Sequence, residues 1–158
     1  MAWLDAFKVW TTLIALSFLL ATGSYLLIPE RLPLLQRRSD ALANAASESG
    51  FVVVDAMQTK EIISSGLRLL LDARPTIAFQ EGHLPTALSF PNANRDRAYL
   101  ELSPILSPEQ PLVVYCSSAT CDDALELAKF LTSMGHKDIV LYLGGVADWV
   151  ENGGELDQ

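Results

Sequence analysis

Cysteine, histidine and positive charge are all scarce in this chain. It holds 2 cysteines and 2 histidines in 158 residues. Two cysteines are too few for a disulfide-stapled scaffold, so a fold must come from a hydrophobic core. The pair leaves three states open: one redox-active couple, one static disulfide, or two plain thiols. The shortage of histidine works against a zinc site, because two cysteines at this spacing need further ligands. His83 could supply one; His136 follows Gly135 at a helix end with no matching signal. No metal and no cofactor are expected.

Lysine and arginine number 11 against 19 aspartates and glutamates, for a net charge of -8. The deficit is uneven. In residues 1–50, Lys8, Arg31, Arg37 and Arg38 balance Asp5, Glu30, Asp40 and Glu48, so residues 51–158 carry all of it. Phosphate backbones are bound mainly by Lys and Arg, which argues against a nucleic-acid partner. Small anions stay possible, since backbone amides alone can make a site locally positive. Internal repeats and low-complexity tracts are lacking.

What is present first is one long apolar run. Residues 9–28 read VWTTLIALSFLLATGSYLLI, 20 residues without a charge. A helix of that length spans roughly 30 Å, the thickness of a bilayer's hydrocarbon core. The reading is an uncleaved single-pass anchor with the lipid bilayer as partner. A buried soluble helix is one alternative. A cleaved signal peptide is another, since Ala21 and Gly23 suit a cleavage site. Yet the apolar run continues through Tyr25, Leu26, Leu27 and Ile28, and the basic segment before it is thin. Arg31, Arg37 and Arg38 follow the span and only Lys8 precedes it, which favours a cytoplasmic C-terminal domain. The expected organisation is an anchor over 1–29, a linker or short helix over 30–50, and a globular domain over 51–158. Ser39 or Asp40 is the expected cap of the short helix, and Gly50 its end.

The globular part alternates strand and helix patterns. Strands are expected at 51–54, 67–71, 88–90, 112–115 and 139–143. Helices are expected at 60–65 with Thr59 as cap, from Asp122 or Asp123 to Met134, and at 147–151. Such alternation implies an α/β domain with a mainly parallel sheet flanked by helices. Ligands in such folds sit beyond the carboxyl ends of strands, where Asp72 and Cys116 stand.

Both cysteines fall in one loop, VVYCSSATCDDA, at residues 113–124. A turn between a strand end and a helix start offers unpaired N–H groups and the positive end of the helix. Those groups favour a thiolate at Cys116 and would hold an anion beside it. The alternative is a buried, inert cysteine. Cys121 reads as a resolving thiol, as a sulfur acceptor, or as a small residue packed in the loop. Asp122 and Asp123 oppose its ionisation in part. Ser117, Ser118, Ala119 and Thr120 line the loop as binding or supporting residues. Asp72 could orient it or pair with Arg74. Gly144 and Gly145 suit a close turn beside it, and Trp149 suits the core.

Four stretches in order resemble the rhodanese-like superfamily. They are LLLDARP at 69–75, FQEGHLPTALSFP at 79–91, VVYC at 113–116 and LYLGGVADW at 141–149. The resemblance covers about residues 51 to 154 and leaves the apolar run untouched. It implies a compact α/β domain in which Cys116 carries sulfane sulfur as a persulfide held by loop amides. It implies a small sulfur donor (thiosulfate, a polysulfide or a protein persulfide) and a thiol acceptor or reducing protein. His83 resembles a position that organises its own loop. The chain departs from the pattern where arginine and then serine usually follow, since Cys121 and Asp122 stand there. Ala119 replaces a common glycine.

The expected function is therefore a sulfurtransferase acting through Cys116, with Cys121 as a possible acceptor. One alternative is a thiol–disulfide or persulfide reductase using both cysteines. Another is a non-catalytic module that binds a membrane partner. A phosphatase would want the arginine that Cys121 replaces.

Overall fold

The structure is a computed structural model that describes residues 33–158, together with isolated positions 3, 10, 14 and 17. Save for those positions, the expected membrane anchor lies outside the described residues. Among the described residues no helix is long and apolar enough to cross a membrane. The chain divides into two compact units, Met1–Gln36 and Arg37–Gln158. The second holds the sheet.

Helix α1, Pro33–Glu48, opens on a proline, which suits a first helical position because its missing N–H would be unpaired anyway. Ser39 and Asp40 therefore lie inside the helix, and neither caps it. Leu42, Ala43, Ala45 and Ala46 of α1 pack on the domain core. Strand β1, Val52–Val53, follows. Helix α2, Ala56–Ser65, starts earlier than the sequence suggested. Its cap is Asp55, which accepts from the Gln58 amide at 2.8 Å while the Gln58 side chain accepts from the Asp55 amide at 3.0 Å. This reciprocal box satisfies two helix-end donors. Thr59, expected as the cap, is buried and donates its hydroxyl to the Asp55 carbonyl. Gly66 ends the helix at φ +62°, where L side chains are strained.

Strand β2, Leu69–Asp72, leads to helix α3, Thr76–Glu81. Strand β3, Leu88–Ser89, a 3-10 turn at Asn92–Asn94 and helix α4, Arg95–Leu102, come next. Helices α3 and α4 had no counterpart in the sequence reading. Both are short, and α4 buries only Ala98, so neither leaves an apolar stripe. Strand β4, Leu112–Tyr115, helix α5, Asp123–Ser133, strand β5, Ile139–Tyr142, and helix α6, Gly145–Glu151, complete the domain.

The five strands form one sheet in the order β1-β5-β4-β2-β3, and every pairing in it is parallel. Helices cover both faces. Leu112 and Val114 point into a core shared with α1, α4 and α5, and Cys116 continues that side. Val113 and Tyr115 point into the other core, with Trp149 and residues of α2, α3 and α6. All four β4 residues are fully buried, as a central strand covered on both faces must be.

Candidate active site in the cysteine loop

The loop leaves the carboxyl end of β4 and enters α5 at Asp123. Its backbone is held from below by the turn into α6. The Val146 amide donates to the Cys116 carbonyl at 3.1 Å, and the Ala147 amide donates to the Ser117 carbonyl at 2.9 Å. Gly145 makes this approach possible: it sits at φ +61°, and a Cβ there would overlap the Cys116 carbonyl. Within the loop, the Cys121 amide donates to the Ser118 carbonyl at 3.0 Å. Ser118 Oγ and Thr120 Oγ1 lie 3.2 Å apart. Among the described residues, the amides of Ser117, Ser118, Ala119 and Thr120 donate to no backbone carbonyl. Backbone donors without a backbone acceptor are the kind of group that binds small anions.

Cys116 and Cys121 are joined by a disulfide, with Cα atoms 6.2 Å apart. Cys116 is almost fully buried and Cys121 half-buried. Asp123 completes the cluster. Its Oδ2 lies 3.5 Å from Cys121 Sγ and 4.0 Å from Cys116 Sγ, and Ser117 Oγ is 3.8 Å from Cys116 Sγ. The two sulfurs and a carboxylate oxygen lie within 4.8 Å of one another. A metal ion would need both sulfurs as thiolates; bonded to each other, they do not ligate one.

Asp72, Arg74 and His83 stand apart from this cluster. Asp72 is fully buried at the end of β2. Arg74 donates from Nε to both carboxylate oxygens of Asp72 at 3.0 Å, and from Nη2 to Asp72 Oδ2 at 2.7 Å and to the Gly82 carbonyl at 2.6 Å. Burial opposes the Arg74 charge, but the hydrogen bond and charge of Asp72 more than offset it and hold the guanidinium above its usual pKa. Tyr115 joins the same knot, its oxygen accepting from the Leu84 amide at 3.1 Å. Burial first, and then the Asp72 charge, push its phenol far above the ordinary range. His83 stacks on Phe79 with ring centroids 3.8 Å apart, contacts the Phe79 carbonyl through Nδ1, and exchanges two backbone hydrogen bonds with Asp157. Among the described residues, no hydrogen bond links Asp72, Arg74 or His83 to residues 116–123.

Asn92 was not singled out by sequence, and Asp123 was read only as a possible helix start and as a carboxylate opposing ionisation of Cys121. Asn92 Nδ2 donates to Asp123 Oδ1 at 2.9 Å across 31 positions, a contact that no local pattern announces. Arg95 Nη1 donates in turn to Asn92 Oδ1 at 3.4 Å.

The fold is a parallel α/β domain that carries a bonded cysteine pair in the loop after its central strand. The chain belongs to the Rhodanese-like domain family, whose model matches residues 53–152. Solved structures agree on the fold. The BH2092 protein from Bacillus halodurans is 24% identical with a TM-score of 0.60, over 75% of this chain and 85% of that one. The Rhodanese-like domain of the Alr3790 protein from Anabaena sp. is 23% identical with a TM-score of 0.57, over 66% and 76%. The thiosulfate sulfurtransferase from Pseudomonas aeruginosa is 19% identical with a TM-score of 0.61, over 77% of this chain and 23% of that longer one. Among curated proteins, none is similar enough to count as a match.

Proposed function

We propose that this protein is a sulfurtransferase in which Cys116 accepts sulfane sulfur and Cys121 takes part in its discharge. The observation that carries the reading is the Cys116–Cys121 bond, in a loop whose amides at Ser117, Ser118, Ala119 and Thr120 donate to no backbone carbonyl among the described residues. Cys116 thiolate attacks the outer sulfur of thiosulfate, a polysulfide or a protein persulfide, and the remainder of the donor leaves with the bonding electrons. The loop amides hold the resulting Cys116 persulfide. Cys121 thiol then attacks Cys116 Sγ, the persulfide S–S bond breaks, and hydrosulfide departs. The sulfane sulfur is reduced and the two cysteines are oxidised to the disulfide. Two external thiols, or a dithiol protein, restore the pair and leave as a disulfide. In this reading residues 9–28 tether the domain to a membrane, with the domain on the cytoplasmic side.

The test is intact mass of the reduced full chain after polysulfide treatment. The Cys121→Ser variant gains one sulfur (~32 Da), and the parent loses two hydrogens (~2 Da) while releasing sulfide. Unchanged sulfide release by Cys116→Ala would overturn the proposal. Equal turnover by Cys121→Ser and the parent would leave Cys116 in place and make an external thiol the direct acceptor.

A further inference from the structure

Asp123 turns its two carboxylate oxygens to different partners. Oδ1 accepts from Asn92, which is itself held by Arg95. Oδ2 faces sulfur, 3.5 Å from Cys121 and 4.0 Å from Cys116. The carboxylate does not cap α5: the cap position is Asp122, which is exposed and makes no side-chain cap hydrogen bond. So one oxygen is anchored by an amide from the 3-10 turn, and the other is presented to the reacting pair.

We infer that Asp123 is the proton acceptor for Cys121 when that thiol closes on Cys116. The inference rests on the reading of Cys121 as the resolving thiol. A carboxylate beside Cys121 opposes ionisation of its thiol, and Asp123 Oδ2, 3.5 Å from Cys121 Sγ, is the nearby acceptor for its proton. Cys116 precedes the loop amides that donate to no backbone carbonyl among the described residues, and in this reading those donors hold its persulfide. The two sulfurs are thereby given different tasks. In the closing step, the Cys121 S–H proton moves to Asp123 Oδ2 as Cys121 Sγ bonds to Cys116 Sγ. The leaving sulfur departs with the electron pair of the broken S–S bond and receives that proton, directly or through water. Asp123 ends ionised, as it began. The charged groups around it are Asp122, its chain neighbour, and Arg95, which acts through Asn92.

The experiment uses the reduced full chain and follows closure with two leaving groups. In the first arm, polysulfide loads Cys116 and sulfide release is followed. In the second, one equivalent of a dipyridyl disulfide caps Cys116, and a second thiopyridone is released as Cys121 closes. Asp123→Asn keeps an oxygen for Asn92 and a side chain of the same shape. Expected is closure about 100-fold slower near neutral pH in both arms, the size of general-base assistance. The rate of the variant should then rise about tenfold per pH unit toward the thiol pKa of ~8.5, while the parent stays flatter. Loading of Cys116, whose Sγ lies 4.0 Å from Asp123 Oδ2, does not slow, because loss of the charge favours its thiolate, and Asp123→Glu recovers part of the closure rate. Closure by Asp123→Asn at the parental rate, or faster near neutral pH, would overturn the assignment, the latter meaning that the carboxylate only repels the thiolate. A loss of equal size at every pH would also overturn it, because a structural role has no pH signature. Should the parent form no persulfide, the proposed function fails, and the pyridyl arm still decides on Asp123.

Discussion

The Val146 amide donates to the Cys116 carbonyl at 3.1 Å, so the turn into α6 fixes the backbone of the first cysteine of the bonded pair. The turn and the loop lie 30 positions apart in the sequence (146 less 116), and they are joined because β4 and β5 are parallel neighbours.

Gly145→Ala should damage both stability and chemistry. The new methyl would overlap the Cys116 carbonyl, and φ +61° is strained for alanine. A left-handed conformation alone costs about 1–3 kcal/mol, and the overlap adds to it. Urea unfolding should show a loss of at least about 2 kcal/mol, with sulfide release falling further than the folded fraction. Gly153→Ala is the control. It has φ +72° but open space around it, so it should lose only about 1 kcal/mol and keep the parental sulfide release.

Arg74 and Asp72 form a buried ion pair, with Asp72 fully enclosed. Arg74→Leu strands that carboxylate and should lower the unfolding free energy by about 3–5 kcal/mol. Changing both residues to leucine should recover part of the loss. Chemical denaturation of the single and double variants measures this directly, and a single variant as stable as the parent would refute it.

Reducing the disulfide should weaken the fold only modestly. The bond closes a loop with a separation of 5 positions, and loop-closure entropy for so short a ring amounts to about 2 kcal/mol. Unfolding curves with and without a reductant should differ by no more than about that, with far-UV circular dichroism unchanged. A reduced chain that is unfolded would show the bond to be structural, and unsuited to cycling.

His136 makes stability depend on pH. Burial lowers its pKa in the folded state, partly countered by the Ser107 backbone and Glu109, while the unfolded chain keeps about 6.5. Between those values the unfolded state holds a proton that the folded state lacks. Stability is therefore complete above pH ~6.5 and falls as pH drops below it, with a slope of at most about 1.4 kcal/mol per pH unit. His136→Gln should remove that component of the slope in unfolding curves taken across pH ~7 to ~5.

The sequence was most informative where one residue type decides the outcome. Strand β4 was legible to its last residue, because Leu112, Val113, Val114 and Tyr115 are all apolar and the strand is buried on both faces. Helix α5 was legible from its apolar side, Leu125, Leu127, Ala128 and Leu131. The cap of α2 was misread because Thr59 and Asp55 are both good caps, and only the reciprocal bonds with Gln58 distinguish them. Helix α4 was invisible because it is short, buries only Ala98 fully, and adds only the partly buried Tyr99 and Leu102 to the core. At the site, Cys116 and the loop amides could be read from a strand end followed by small residues. The bond between the cysteines could not, since a spacing of five allows both bonded and free pairs. The Asn92–Asp123 contact depends on the position of the 3-10 turn beside α5, which is a property of the assembled sheet.

The pleat of β4 gives the Cys116 sulfur its direction. Leu112, Val114 and Cys116 share one side, and Val113 and Tyr115 the other. The placement is a matter of parity. Inserting or deleting one residue within β4, with the core register kept, would exchange the roles of Cys116 and Tyr115. A phenol would then face α5, and the thiol would lie among the aromatic residues against α6. Two residues would restore the side but lengthen the strand past the Val146 amide. Whoever transplants this loop to another scaffold must count in even steps from the last buried valine, and must bring the turn at Gly145 along with it.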